Sequence, residues 1–189
     1  GYSFAEKIEA SFFQSVTTRT AGFATIPQEN LTDSSAIVSL ILMFIGGSPV
    51  GTAGGIKTVT FLVMIVTAIS VIRNRRTANV FGRQISDEAI RKAVGVFVMS
   101  FCVVAVSTIL LSYVTNADFM DVIYETVSAT ATVGLTRNLT PSLNTSGKLI
   151  ITIAMFLGRV GPISLAVALN KNKGSENIVS NPVEDIVVG

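Results

Sequence analysis

Histidine is absent from the 189-residue sequence, and Cys102 is the only cysteine. Without histidine, Cys/His zinc sites and serine–histidine catalysis cannot be built within this chain, and one cysteine cannot form an internal disulfide. Cys102 lies in an apolar run, so we expect it to be a buried small hydrophobic residue. These kinds of metal and catalytic site are therefore excluded within this chain, and we do not expect an enzyme.

Charge is also scarce. Charged residues make up 14% of the chain and the net charge is +2, whereas an ordinary soluble domain carries about 25% charged residues. Apolar residues make up 49%. This balance predicts a membrane protein in a lipid bilayer, and the near-neutral charge provides no basic face for nucleic acid.

Three hydrophobic stretches approach or exceed the length of about 20 apolar residues that a membrane helix needs. Residues 93–114 carry no charge and residues 149–169 carry one. The stretch 36–72 is too long for one straight span and contains a glycine-rich interruption. We therefore predict a broken helix there, with one part ending near Ile45 and the next beginning near Lys57.

Two shorter segments, 4–18 and 118–129, are compatible with helices but cannot cross a membrane. Each is followed by a stretch rich in Thr, Ala and Gly. A short helix, then irregular backbone, then a full helix is typical of a re-entrant pore loop. The predicted fold is an all-α membrane protein of membrane helix–pore loop–membrane helix repeats, with re-entrant selectivity-filter loops and one broken helix.

Basic residues concentrate between the hydrophobic stretches. The connector 73–92 contains six of them against two acidic residues, so the positive-inside rule predicts that it is cytoplasmic. The predicted organisation has a first unit at 1–72, this basic connector, a second unit at 93–170, and a cytoplasmic tail at 171–189.

An internal repeat relates the two units. Gly22 and Gly134 are separated by 112 residues, and MFIG at 43–46 and MFLG at 155–158 are separated by the same step. Two landmarks at one offset predict a duplicated unit, an arrangement common in transporters.

The glycines of this repeat lie in two short loops that we call the first and second Thr-Gly loops. A dehydrating cation needs several oxygen ligands, which backbone carbonyls and threonine hydroxyls supply, and glycine permits the backbone angles required. The C-terminal end of each preceding short helix favours positive charge. We expect Arg19, beside the first loop, to point away from the ion. The predicted filter residues are Thr20, Ala21, Gly22, Phe23, Thr132, Val133, Gly134 and Leu135, with a bound cation at Thr20, Gly22, Thr132 and Gly134.

The interruption at 46–55, here called the glycine-rich loop, contains five glycines. Unpaired backbone at membrane depth must line a wet cavity or pack within protein. The loop could obstruct an ion path and act as a gate, or it could be a Gly-Pro kink with close helix packing. The predicted gate residues are Gly46, Gly47, Ser48, Pro49, Gly51, Thr52, Ala53, Gly54 and Gly55.

Arg159 lies within the last hydrophobic stretch, where a charge is costly unless it is paired or faces a cavity. It could hydrogen-bond carbonyls of the glycine-rich loop, place a positive electrostatic barrier in a pore, or hold a neighbouring helix in a purely structural role. These three interpretations stay open.

Residues 51–58 nearly match a phosphate-binding P-loop, but Ile56 replaces the required second glycine. The segment also lies between two membrane-length helices instead of following a soluble strand. We do not expect nucleotide binding here.

Four segments resemble the Trk/Ktr/HKT potassium transporter superfamily. They are SVTTRTAGF at 15–23, MFIGGSPVGTAGGIKT at 43–58, ATVGL at 131–135 and MFLGRVGP at 155–162. The match is to the C-terminal half, the third and fourth repeats, of KtrB-type membrane subunits. The family's usual block reads GGSPGGTAGG, so Val50 departs from a glycine.

The resemblance implies that four repeats surround one pore, with the first and second repeats in an N-terminal half of the same protein. It implies filter glycines at Gly22 and Gly134, a gate loop at 46–55, and an Arg beneath the filter at Arg159. It further implies potassium uptake by a multi-pass protein of the cytoplasmic membrane through a gated, channel-like pore. The implied partners are a second copy in a homodimer and a cytoplasmic ring of nucleotide-binding regulatory subunits. Potassium would be the transported ion with no covalently bound cofactor, and a sodium requirement is left open.

Three other interpretations remain. The first is an ion-coupled secondary transporter with alternating access, which also uses broken helices. The second is a nucleotide-dependent membrane enzyme built on the near-P-loop, which Ile56 disfavours. The third is a non-conducting structural subunit, which the two Thr-Gly loops disfavour.

Overall fold

The computed structural model describes residues 3–49, 53–75 and 77–161. Some predictions fall outside these residues. They are the gate positions Gly51 and Thr52, the departure at Val50, the end of the last predicted span at 162–169, and the tail at 171–189.

The described residues form six α-helices, two 3-10 turns and one short β-hairpin, so the helical class predicted from the sequence is confirmed. The helices are α1 (Phe4–Thr17), α2 (Asp33–Phe44), α3 (Thr58–Ile72), α4 (Asp87–Val114), α5 (Phe119–Thr130) and α6 (Thr145–Val160). The 3-10 turns are Gln28–Asn30 and Thr140–Ser142, and the hairpin pairs β1 (Asn79–Val80) with β2 (Arg83–Gln84).

Short polar side chains begin most of these helices. Each accepts a hydrogen bond from a backbone N–H of the first turn, which would otherwise lack a partner. At α1 the arrangement is reciprocal, since the backbone N–H of Ser3 also donates to the Glu6 carboxylate at 2.7 Å. The capping residues are Ser3 for α1, Thr32 for α2, Ser86 for α4, Asp118 for α5 and Asn144 for α6.

Helix α4 is the one described helix that is both long enough and apolar enough to cross a membrane. Its 28 residues span about 42 Å at 1.5 Å per residue. It begins six residues earlier than the predicted span, because Ser86 caps it and Asp87 and Glu88 extend its polar first turn.

Beyond its charged first turns, the exposed surface of α4 is mostly apolar, with Phe101, Ile109 and Tyr113 among the exposed side chains. Cys102 lies on this surface and is exposed, so the prediction of a buried cysteine is wrong. The part of α4 that contains Cys102 carries no charge and so has no polar stripe to reveal its outward face, and the sequence therefore could not distinguish a core position from an outward one.

The basic connector contains a hairpin that the sequence did not predict. Phe81 and Gly82 form its two-residue turn with φ values of 48° and 76°. Two-residue hairpin turns need positive φ, and the usual Asn-Gly or Asp-Gly signal is replaced here by Phe-Gly.

The structure repeats at the offset found in the sequence. The 3-10 turns begin at Gln28 and Thr140, and the helices after them begin at Asp33 and Thr145, so both pairs are 112 residues apart. The caps Thr32 and Asn144 keep the same spacing. The duplicated unit is therefore a helix, a Thr-Gly loop, a 3-10 turn and a second helix.

Helix α5 occupies the centre of the described structure. It packs against α2, α4 and α6 and buries eight of its residues, whereas Thr17 is the only buried residue of α1. One core cluster includes Met43, Tyr124 and Leu135, and a second includes Leu111 and Ile151. The second Thr-Gly loop thus begins inside a packed core.

Candidate ion-pathway site

The two Thr-Gly loops share an unusual backbone conformation. Thr20 and Thr132 have φ values of 69° and 55°, and Gly22 and Gly134 have φ values of 74° and 92°. Positive φ is strained for a β-branched residue such as threonine. Strain that recurs at the same position of two repeats indicates a functional backbone geometry.

The two loops touch each other. A β-carbon placed on Gly22 would lie 2.2 Å from the carbonyl oxygen of Val133 and 3.7 Å from the Cα of Gly134. Only glycine permits this approach, because no real β-carbon lies so close to a carbonyl oxygen. The structure therefore brings the predicted filter glycines of both units together.

The two threonine hydroxyls differ in their partners. Thr132 Oγ1 accepts a hydrogen bond from the backbone N–H of Gly54 at 3.0 Å. Thr20 Oγ1 is buried and makes no hydrogen bond among the described residues. A buried hydroxyl without a partner is uncommon, and a ligand or a further chain segment is the usual reason for one.

The other filter positions also differ between the loops. Phe23 is 71% exposed, whereas Leu135 at the equivalent position is 2% exposed. The Thr17 hydroxyl donates to the Phe23 carbonyl oxygen at 2.6 Å and holds the end of the first loop against α1.

In the second unit a buried acid holds the chain that follows the loop. Glu125 of α5 is 5% exposed and accepts hydrogen bonds from Thr136, at 2.6 Å, and from Thr140. Glu125 was not identified from the sequence, where its only signal was a third acidic residue, after Asp118 and Asp121, in a short predicted helix.

The glycine-rich loop connects the end of α2, at Phe44, to the start of α3. Hydrogen bonds join the beginning of this connection to its end. The backbone N–H of Ile56 donates to the Phe44 carbonyl at 3.0 Å, and that of Thr58 donates to the Gly47 carbonyl at 3.3 Å. A β-carbon on Gly46 would lie 2.1 Å from the Gly54 carbonyl oxygen. The glycines therefore allow two backbone segments to lie in direct contact.

The glycine-rich loop also contacts the second Thr-Gly loop. A β-carbon on Gly54 would lie 2.5 Å from Thr132 Oγ1 and 2.7 Å from the Ala131 carbonyl oxygen. The Lys57 ammonium donates to the Ala53 carbonyl at 2.5 Å and ties the loop to the start of α3. Predicted gate residues and predicted filter residues are thus direct neighbours.

Arg159 lies in the last described turn of α6, beside a cavity of about 270 Å³. Gly54, Gly55 and Lys57 line the same cavity, together with Thr130 at the end of α5. The cavity brings Arg159 to the glycine-rich loop, although 112 residues of sequence separate it from Gly47.

Arg19 is exposed, and its orientation away from the ion stays a prediction. A different arginine, Arg137, contacts both units and was missed. Its Nε donates to Asp121 at 2.7 Å, and Nη1 donates to backbone carbonyls of the first unit. Its only sequence signal was its position two residues after the second Thr-Gly loop.

Comparison with known proteins identifies the family. Residues 1–181 match the model of the TrkH family, described as cation transport protein. The chain is 39% identical over 170 residues to Ktr system potassium uptake protein B of Bacillus subtilis, covering 90% of this chain and 38% of that protein. It is 34% identical over 193 residues to the potassium/sodium uptake protein NtpJ of Enterococcus hirae, covering 99% of this chain and 43% of that protein.

A solved structure has the same fold. The potassium transporter TrkH from Vibrio parahaemolyticus superposes with a TM-score of 0.75 at 20% identity, covering 90% of this chain and 39% of that one. This chain spans about two fifths of the length of these relatives. The match across residues 1–181 and the identities to the uptake proteins lead to one conclusion: the chain belongs to the TrkH family of cation transport proteins.

Proposed function

We propose that this chain is half of a gated, channel-like pore that takes up potassium across the cytoplasmic membrane. One observation carries the proposal: two Thr-Gly loops, 112 residues apart, share the same strained backbone conformation and touch each other. Such a pair supplies carbonyl and hydroxyl oxygens from two sides to one position. The relatives named as potassium uptake proteins support potassium as the ion.

The proposed cation site lies at Thr20, Gly22, Thr132 and Gly134. Carbonyl oxygens of the two loops replace part of the hydration shell of the ion. The C-terminal end of α5, directly before the second loop, adds a favourable partial negative charge. The buried Thr20 hydroxyl, which makes no hydrogen bond among the described residues, would serve as a further ligand. Two further loops, from the rest of the protein, complete the ring.

The glycine-rich loop is the proposed gate. Its contact with the second Thr-Gly loop through Gly54 and Thr132 supports this role, because the loop then lies directly beside the ion path. Arg159 and Lys57, which line the neighbouring cavity, place positive charge there. A cation is repelled while the loop and these charges remain in place, and opening requires the loop to move.

The proposed organisation follows the family. The first unit, 1–72, acts as a third repeat and the second unit, 93–170, as a fourth, with the connector 73–92 in the cytoplasm. The working assembly is a multi-pass homodimer on a cytoplasmic ring of nucleotide-binding regulatory subunits. One relative is named a potassium/sodium uptake protein, so transport assays should also measure whether potassium uptake by this protein depends on sodium.

The test uses the full-length protein in a bacterium deficient in potassium uptake. The unmutated protein should restore growth at low potassium, and Gly134→Ser should lose preference for potassium over sodium, because Gly134 has a φ of 92° that serine adopts only with strain. Gly82→Ser is the matched control. Gly82 also has a positive φ, of 76°, but among the described residues nothing other than its chain neighbours lies within 4 Å of an added β-carbon. Equal rescue by Gly134→Ser and Gly82→Ser contradicts the filter assignment.

A further inference from the structure

A polar network joins the two units beside the Thr-Gly loops, and its centre is Arg137. The Arg137 side chain is only 10% exposed, and its Nε donates to Asp121 Oδ1 of α5 at 2.7 Å. The pair fixes the guanidinium relative to α5, the helix that ends at the second loop. An ion pair between a nearly buried arginine and a partly exposed aspartate of the second unit therefore sets where the remaining donors of Arg137 point.

Those donors reach the first unit. Arg137 Nη1 donates to the carbonyl oxygens of Gln28, at 3.4 Å, and Leu31, at 3.3 Å. The Gln28 carbonyl belongs to the 3-10 turn that follows the first Thr-Gly loop, and the Leu31 carbonyl lies directly after that turn. One planar guanidinium thus holds a carboxylate of one unit and two carbonyls of the other, which a lysine ammonium on a flexible stem does not reproduce.

Gln28 makes a second link between the units. Its side chain is buried, and its Oε1 accepts from the Tyr124 hydroxyl at 2.9 Å and from Gln14 Nε2 at 2.7 Å. Tyr124 lies in α5 and Gln14 in α1. The turn after the first loop is therefore held to both short helices through its side chain as well as through its backbone.

The network is not repeated by the internal symmetry. The residues 112 positions before Arg137, Asp121 and Tyr124 are Thr25, Glu9 and Phe12. Threonine and phenylalanine at these positions cannot form the same bridge. The first unit therefore lacks the side chains that would make the equivalent contact. The network is a feature of the interface between the two units and is not part of the repeated structure.

We infer that Arg137 is a positioning residue for ion selectivity. By holding the turn that contains Gln28, it fixes the first Thr-Gly loop against the second, and so fixes the spacing between the oxygens of the two loops. Selectivity between potassium and sodium depends on the spacing and the number of these oxygens. The inference rests on the proposed function, since it concerns the selectivity of the same filter.

The test compares three variants of the full-length protein in liposomes, with potassium and sodium uptake measured separately. Arg137→Lys keeps the charge but loses the shared geometry, and Tyr124→Phe removes only the hydroxyl bonded to Gln28. Arg19→Lys is the matched control, since Arg19 is exposed and lies beside the first loop. Loss of one hydrogen bond predicts a fall of about fivefold in the potassium-to-sodium uptake ratio for the first two variants. The control should keep the ratio of the unmutated protein.

Hydrogen–deuterium exchange gives a second readout that does not require transport. In Arg137→Lys the amides of residues 23–31 should exchange faster than in the unmutated protein, whereas Arg19→Lys should leave them unchanged. A variant that lowers potassium and sodium uptake by the same factor has only a structural effect and overturns the inference. An unchanged ratio in both folded variants overturns it as well.

If Arg137→Lys does not fold, Asp121→Asn decides, because it keeps Arg137 but removes the carboxylate charge that fixes its guanidinium. The proposed function and the inference about Arg137 are contradicted by different results. Absence of potassium uptake by the unmutated protein contradicts the proposed function, whereas uptake with an unchanged ratio in the variants contradicts this inference alone.

Discussion

The backbone N–H of Gly54 donates to the hydroxyl of Thr132 at 3.0 Å, across 78 residues of sequence. This bond joins the glycine-rich loop of the first unit to the second Thr-Gly loop of the other. It places the proposed gate against the proposed filter, so that a movement of one affects the other.

Thr132→Val should weaken this junction. Valine has nearly the same shape but no hydroxyl, and the buried Gly54 N–H then lacks an acceptor, at a cost of about 1–3 kcal/mol. We expect the closed loop to be less stable and basal potassium flux in liposomes, without regulatory subunits, to rise. Thr20→Val is the matched control, because it removes the equivalent hydroxyl but no contact with the glycine-rich loop. A similar rise in both variants contradicts a specific junction at Thr132.

Gly54→Ala tests the same junction by adding volume. The new β-carbon would lie 2.5 Å from Thr132 Oγ1 and 2.7 Å from the Ala131 carbonyl oxygen, so the loop must shift. We expect higher basal flux and a lower thermal unfolding midpoint in detergent. Gly82→Ala adds the same methyl group into open space and should leave basal flux unchanged. Normal gating by Gly54→Ala would show that the loop does not need this close approach.

Gly158→Ala should destabilise the packing of α6 on α5. Its β-carbon would lie 1.9 Å from the Thr130 carbonyl oxygen, and overpacking of this kind costs about 1–3 kcal/mol. The thermal unfolding midpoint of the full-length protein should fall. Gly147→Ala, in the same helix, meets only side-chain atoms at 3.1 Å and beyond, and should cause a smaller change. Equal midpoints for the two variants contradict the close contact of α6 with α5.

Much of the fold could be predicted from the sequence because it depends on local patterns. The offset between Gly22 and Gly134 reappears in the 3-10 turns and in the starts of α2 and α6. The hydrophobic stretches predicted the helices, and the glycine-rich stretch predicted where α2 and α3 separate. The observed helix ends differ from the predicted ends by a few residues, mostly because polar capping residues extend the helices beyond their apolar parts.

The contacts between the units could not be predicted in this way. The Gly54–Thr132 bond and the reach of Arg137 to Gln28 join residues far apart in sequence, and no periodicity encodes them. The exposure of Cys102 was missed for a related reason. An apolar residue in an apolar helix has no local signal for the side on which it lies.

Arg159→Gln tests whether positive charge beside the glycine-rich loop limits the ion flow. The variant keeps a polar side chain, shorter than arginine, next to the cavity but removes the charge. We expect faster potassium flux at low potassium with an unchanged preference for potassium over sodium, because the filter loops are not altered. Lys148→Gln, near the start of α6, removes a charge from the same helix away from the cavity and should have no effect. Slower flux in Arg159→Gln contradicts the barrier role.

The central claim is that the two Thr-Gly loops bind one cation between them. The most direct measurement is anomalous diffraction from crystals of the full-length protein grown with thallium or rubidium in place of potassium. The account predicts an anomalous peak within ligand distance of the carbonyl oxygens of the loops that contain Gly22 and Gly134. A well-ordered filter region without such a peak, with the ion bound elsewhere along the chain, would contradict it.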